Sequence, residues 1–260
     1  MSADLVQLDF DGPIAIISNN RPDKHNAAND AMDRRLFEIL GELKLREGLR
    51  AVIWRGNGPS FSSGRDTSEL GVRSEDISDF EFIERGHRGT QQIFALDVPV
   101  LAVLKGWVIG GSFERALLCD LRIAGESAKM MLPEVRHGVV PDSGGTARLF
   151  QMAGHGLVAD LALTGRVMDA QEALRHGVVS RVVPDADLDK TALEMARQIA
   201  AAPAFTVQMF RRTLSRMATP LVQHSLAEEA VAQSMVFASR DYAEMKAARA
   251  EKREPRYRNR

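Results

Sequence analysis

Apolar positions along the chain switch repeatedly between a strand-like and a helix-like period. Residues 5–9 and 14–18 form short apolar runs divided by Asp11-Gly12, which predicts a hairpin. Met32, Leu36, Ile39, Leu40 and Leu43 recur at helical spacing, with Asn29 or Asp30 placed to cap that helix. A strand over 51–55 ends in the turn-rich Gly56-Asn57-Gly58-Pro59-Ser60. A polar stretch, 71–79, reads as a mobile excursion; a helix over about 80–96 and a buried strand at 100–104 follow. Gly110-Gly111-Ser112 opens a helix reaching Leu118, and 121–124 is strand again. Strands and helices alternating through short links predict an α/β layout of repeated ββα units. Beyond Pro184 the strand signal stops, and 187–201, 203–218 and 220–249 read as helices divided by Pro203 and Pro220. The boundary between an α/β core, 1–202, and a helical region, 203–260, is expected at Ala202.

The 260 residues suffice for one large core, or a core with an appendage. The single cysteine, Cys119, excludes an internal disulfide and zinc sites built on several thiolates. Aromatic residues are 6% of the chain, too few for a stacking surface that takes single-stranded nucleic acid. No basic patch and apolar run open the chain, and no apolar run is long enough to cross a bilayer. A cytoplasmic protein with no membrane partner is therefore expected. The net charge is −1, yet 246–260 carries seven basic and two acidic side chains. That tail is either a solvated terminus or a surface that meets phosphate.

The most informative stretch is 103–120, where a buried strand reaches Gly110-Gly111 and a helix starts at once. Missing Cβ atoms admit a ligand close to the backbone, and the first N–H groups of a helix have no internal acceptor. Such a place suits an anion or a developing oxyanion; a turn needing glycine for sterics alone is the other reading. Glu114, one turn into this helix, either serves the helix dipole or is desolvated enough to exchange protons near neutral pH. Glu134 follows Pro133, which aims it or merely sets a surface turn. Asp142 is most simply the N-cap of the helix containing Ala147, Leu149 and Phe150. The turn Phe61-Ser62-Ser63-Gly64-Arg65-Asp66 can offer a further backbone N–H. No serine nucleophile elbow, dinucleotide glycine motif or zinc helix is present, and His25 and His137 read as local, so no metal is expected.

Taken in order, these blocks resemble the crotonase, or enoyl-CoA hydratase/isomerase, superfamily over almost the whole chain. Asn20-Arg21-Pro22 through Asn26-Ala27, Ser63-Gly64-Arg65-Asp66, 106–120, Pro133-Glu134, 141–146, Leu163-Thr164-Gly165-Arg166 and the terminal 251–257 are similar to successive family motifs. The resemblance implies a spiral of ββα units that binds an acyl-CoA, with C-terminal helices assembling homotrimers or dimers of trimers. It implies no permanently bound cofactor and no nucleic-acid partner. By motif position the N–H groups of Arg65 and Gly111 form an oxyanion hole, and Glu114 and Glu134 hold the water of a hydratase. Lys24, Ala27, Ser63, Arg65 and Asp66 fall at coenzyme A-binding positions, where the Arg65 charge can attract a phosphate. The implied reaction is hydration of a 2,3-trans-enoyl-CoA to a 3-hydroxyacyl-CoA. Asp142 stands where some family isomerases carry a proton-shuttling aspartate, so a double-bond isomerase using Asp142 and Glu134 is the alternative. A non-catalytic protein binding CoA esters or RNA is the third. Ser112 in place of a frequent glycine, and Phe113 and Arg115 beside Glu114, depart from the family pattern.

Overall fold

The computed structural model describes residues 5–69 and 77–258. Strands β1 (Val6–Asp11) and β2 (Ile14–Asn19) form the expected antiparallel hairpin about Gly12. Helix α1 (Asp30–Lys44) is capped by the Asn29 side chain and buries the expected Met32, Leu36, Ile39, Leu40 and Leu43. Then come β3 (Ala51–Gly56), α2 (Asp79–Ala95), β4 (Val100–Leu104), β5 (Trp107–Ile109) and α3 (Gly111–Leu118). The next elements are β6 (Leu121–Gly125), β7 (Lys129–Met131), α4 (Gly145–Thr164), β8 (Met168–Asp169), α5 (Ala170–Arg175) and β9 (Arg181–Val183). The chain closes with α6 (Leu188–Ala201), α7 (Ala204–Phe237) and α8 (Arg240–Ala250). The polar excursion expected over 71–79 lies mostly outside the described residues, which resume before the Ser78–Glu81 capping box of α2.

The large sheet runs β1-β2-β3-β4-β6-β9, parallel except at the hairpin, and a smaller one runs β5-β7-β8. Each of β4 and β6 hands the chain to a short strand of the small sheet and then to a helix, which is the ββα repeat. Both faces of the large sheet are covered. One cluster sets Val52, Trp54, Ala102 and Leu104 against α1, α3 and α4; the other sets Ile53, Leu101, Val103 and Ile123 against Leu188, Ala192 and Met195 of α6. Two-sided burial explains why β4 reads as an unbroken apolar run.

Two expectations are corrected. Pro220 does not divide the C-terminal helices; it lies inside α7, which continues to Phe237. The break falls instead before α8, where Ser239 caps the Tyr242 N–H. Nor does Asp142 cap α4. The helix begins after Gly144 with no side-chain cap of its own, because two buried glutamates from other helices already accept its first amides.

Candidate active site

A cavity of about 290 Å³ opens between α1, α2, the start of α3 and the 133–143 segment, with α7 and α8 closing one side. Its floor is made by two neighbouring loops. Residues 61–66 lie beside β5, with Ser62 N donating to Trp107 O and Ile109 N to Ser62 O, both at 3.0 Å. On the other edge Ala28 N donates to Gly64 O and Asp66 N to Ala28 O, so the Arg65 N–H is turned away from Ala28. Gly111 opens α3, whose first amides have no acceptor inside the helix. Arg65 and Gly111 line the same cavity. Ser112 has a structural reason: its hydroxyl meets Ser62 Oγ at 2.8 Å, tying the helix start to the 62–65 loop.

Glycine is required at position 110. Its φ is +60°, and a Cβ there would stand 2.7 Å from Glu134 Oε1. Glu134 is thus pressed against the residue that precedes Gly111. Its Oε2 is shielded from water and has no hydrogen-bond partner. Burial, with the charge of Asp142 adding to it, pushes the Glu134 carboxyl up to about 7. Asp142 lines the cavity too, and burial followed by the charge of Glu229 pushes it up to about 7.

Glu114 differs. It is fully buried and is not among the residues lining the cavity. Its oxygens accept the N–H groups of Asp142, Ser143 and Gly145, each at 3.2 Å. Burial and the nearby Glu229, Glu134 and Asp142 raise its pKa well above the ordinary range. The structure therefore brings Glu134 and Asp142 to the cavity and sets Glu114 behind the turn that carries Asp142.

That turn is held by residues that sequence reasoning missed. His87 Nε2 donates to Asp142 O at 2.6 Å, which places the proton of the neutral ring on Nε2; burial lowers its pKa. Glu229 accepts from Gly144 N at 2.9 Å and Gln233 from Val140 N at 2.8 Å, both from α7. A signal existed for the last two: Glu229 and Gln233 continue the helical stripe of buried Val222 and Leu226.

The expected coenzyme A positions form one rim. Ser63 Oγ donates to Lys24 O at 3.3 Å, Ala27 N to Lys24 O at 3.0 Å, and Ser63 and Arg65 border the cavity. Two side chains there are committed elsewhere. Asp66 is paired with Arg21 at 3.1 Å, and the Arg65 guanidinium is held by Asp30 and Asp33 rather than turned to a phosphate. Among the described residues no group of three or more His, Cys, Asp or Glu is arranged to hold a metal, and no helix is long and apolar enough to cross a membrane.

Residues 9–260 match the family model described as enoyl-CoA hydratase/isomerase. The chain belongs to that family. A short-chain-enoyl-CoA hydratase from Clostridium acetobutylicum is 33% identical over 254 residues, 97% of each chain. A carnitinyl-CoA dehydratase from Salmonella typhimurium is 38% identical over 194 residues, 75% of this chain and 74% of its own. The crystal structure of an enoyl-CoA hydratase/isomerase from Pseudoalteromonas atlantica superposes with a TM-score of 0.88 at 28% identity, covering 98% of this chain and 100% of the other. The crotonase family and the mixed α/β fold expected from the motifs are both met, and the helices α7 and α8 supply the C-terminal helical part.

Proposed function

We propose that the protein is an enoyl-CoA hydratase that adds water across the 2,3-trans double bond of an enoyl-CoA thioester to give a 3-hydroxyacyl-CoA. The observation that carries this reading is the meeting, in one cavity, of Glu134 and Asp142, both pushed up to about 7, with the loops of Arg65 and Gly111. The thioester oxygen sits between the Arg65 and Gly111 N–H groups, which hold the charge that develops there. Glu134, against Gly110, stands beside the carbon next to the carbonyl and delivers its proton to C2. Asp142 takes a proton from water as the water oxygen bonds to C3 and the double-bond electrons move toward the thioester oxygen. Two carboxyls that both titrate near neutrality supply the acid and the base this addition needs. Glu114 is a positioning residue in this scheme, because it holds the backbone of Asp142, Ser143 and Gly145. Coenzyme A lies along the rim of Lys24, Ala27, Ser63, Arg65 and Asp66.

Hydration is favoured over isomerisation because the two relatives above are named a hydratase and a dehydratase. An RNA-binding role is not favoured: the named relatives are enzymes, and in the basic tail Arg253 is already paired with Glu244 and Glu251 at 2.5 Å. Self-association through α7 and a cytoplasmic setting complete the reading.

The test follows loss of the conjugated thioester of crotonyl-CoA. The protein is expected to turn it over, and Glu134→Gln and Asp142→Asn each to lower kcat by roughly 10²–10⁴ while the fold persists by circular dichroism. Turnover indifferent to both substitutions refutes the assignment. Deuterium entering from solvent without a 3-hydroxyacyl product makes the enzyme an isomerase instead.

A further inference from the structure

We propose that the Asp33–Arg115 ion pair selects enoyl-CoA substrates whose acyl group carries a neutral oxygen, a hydroxyl or a carbonyl, over plain alkyl chains of the same length. This deepens the hydratase reading of the cavity and rests on it. Arg115 follows Glu114 on α3, Asp33 lies on α1, and both line the cavity. Arg115 Nη1 and Nη2 donate to the two Asp33 oxygens at 2.6 and 3.2 Å. Its Nε is buried with no partner. A guanidinium has five N–H donors, so Asp33 leaves several unserved. The two side chains keep 13% and 20% of their surface open, although the rest of the pair is removed from water. Phe37, also in the cavity wall, backs the guanidinium at 5.4 Å from ring centroid to Cζ.

A pocket meant for bare alkyl chains has no use for a charged pair largely removed from water in its wall. A methylene chain pressed on it offers the remaining donors no acceptor, whereas a hydroxyl or carbonyl oxygen supplies one. The charge balance argues for a neutral group: Asp33 already offsets Arg115, Asp30 offsets Arg65, and the carboxyls of Glu134 and Asp142 line the same cavity and disfavour a carboxylate. A quaternary ammonium meets Arg115 itself, along with Arg34 and Arg85 in the same wall.

The experiment compares kcat/KM for six-carbon 2-enoyl-CoAs that are plain, hydroxylated or oxidised to a ketone near the far end, or terminated by a carboxylate, and for a trimethylammonium-bearing enoyl-CoA. The hydroxyl and keto esters are expected to exceed the plain one by about tenfold or more, in line with sites built to hydrogen-bond a substrate. Arg115→Met is expected to reverse that order; the comparison is a ratio within each protein, so a general loss of activity cancels. A plain, anionic or cationic ester in first place overturns the proposal. Calorimetric binding of saturated hexanoyl-CoA and its hydroxylated counterpart reads the same preference without turnover. A tenfold binding preference lost in Arg115→Met, with no hydration of any ester, supports the pair and sinks the hydratase reading. Equal binding with active hydration does the reverse.

Discussion

Burial lifts Asp142 from an ordinary 3.8 and Glu134 from 4.5 to about 7, so between those limits both hold protons in the folded chain that they release when it unfolds. The folded state then binds more protons than the unfolded one, and the contribution of these groups to stability falls as pH rises from about 4 to 7. Asp142→Asn removes one of the charges forced into the cavity. It is expected to stabilise the protein at pH 8 by on the order of 1–2 kcal/mol while lowering kcat, and to have little effect at pH 4; thermal unfolding at the two pH values checks this. The two carboxyls predict a narrow bell for kcat/KM centred near pH 7, where one is protonated as acid while the other is ionised as base. A flat profile between pH 5 and 9 contradicts catalysis by two groups titrating near neutrality. At this scale the sequence singled out three carboxylates but not where they point. Asp142 before a helix has the pattern of a cap, and only the glutamates arriving from α3 and α7 release it from that duty. Glu114 carries the family motif just as plainly, yet its oxygens are spent on three amides.

The turn that begins α4 depends on four side chains from three other helices at once. His87 of α2, Glu114 of α3, and Glu229 and Gln233 of α7 each take one or more backbone groups between Val140 and Gly145. The helical C-terminal part therefore completes the site rather than merely following it. Elements with strong local patterns, such as α1 and the hairpin, were legible because spacing and a cap or glycine turn specify them locally. The bond from Glu229 to Gly144 joins residues 85 apart, and no local period encodes it. The short strands β7 and β8 were equally silent, since three or two residues carry no period. Glu229→Ala is expected to strip the Gly144 amide of its acceptor, costing about 1–3 kcal/mol and lowering the melting temperature. Glu229→Gln keeps an acceptor oxygen but removes the charge that raises Asp142, so it should spare stability and shift the pH–rate bell toward acid. A Glu229→Gln profile superposable on the parent's denies Glu229 any electrostatic part.

At the scale of the whole molecule, an unexplained apolar surface lies on α7. Phe210, Leu214, Met217, Leu221, Val231 and Met235 are exposed, between 37% and 74%, and their spacing puts them on one stripe of the helix, away from the Val222, Leu226 and Glu229 side that faces the core. A helix apolar on two sides needs a second partner, and exposed patches of this kind mark association surfaces. Three copies of the chain, singly or as paired trimers, are the proposed partner, since each removes its neighbour's stripe from water. Burying such side chains is worth about 1.5–3 kcal/mol each, enough for a handful to hold an assembly at micromolar concentration. Light scattering coupled to size exclusion is expected to give the mass of three or six chains, and Phe210→Glu with Met217→Glu the mass of one. Because α7 also supplies Gln233 to the cavity and Glu229 to the turn behind Asp142, dissociation should cost activity as well as mass, and recovery of kcat with rising enzyme concentration separates that loss from misfolding. A parent protein that runs as a single chain at every concentration leaves the α7 stripe without the role assigned to it.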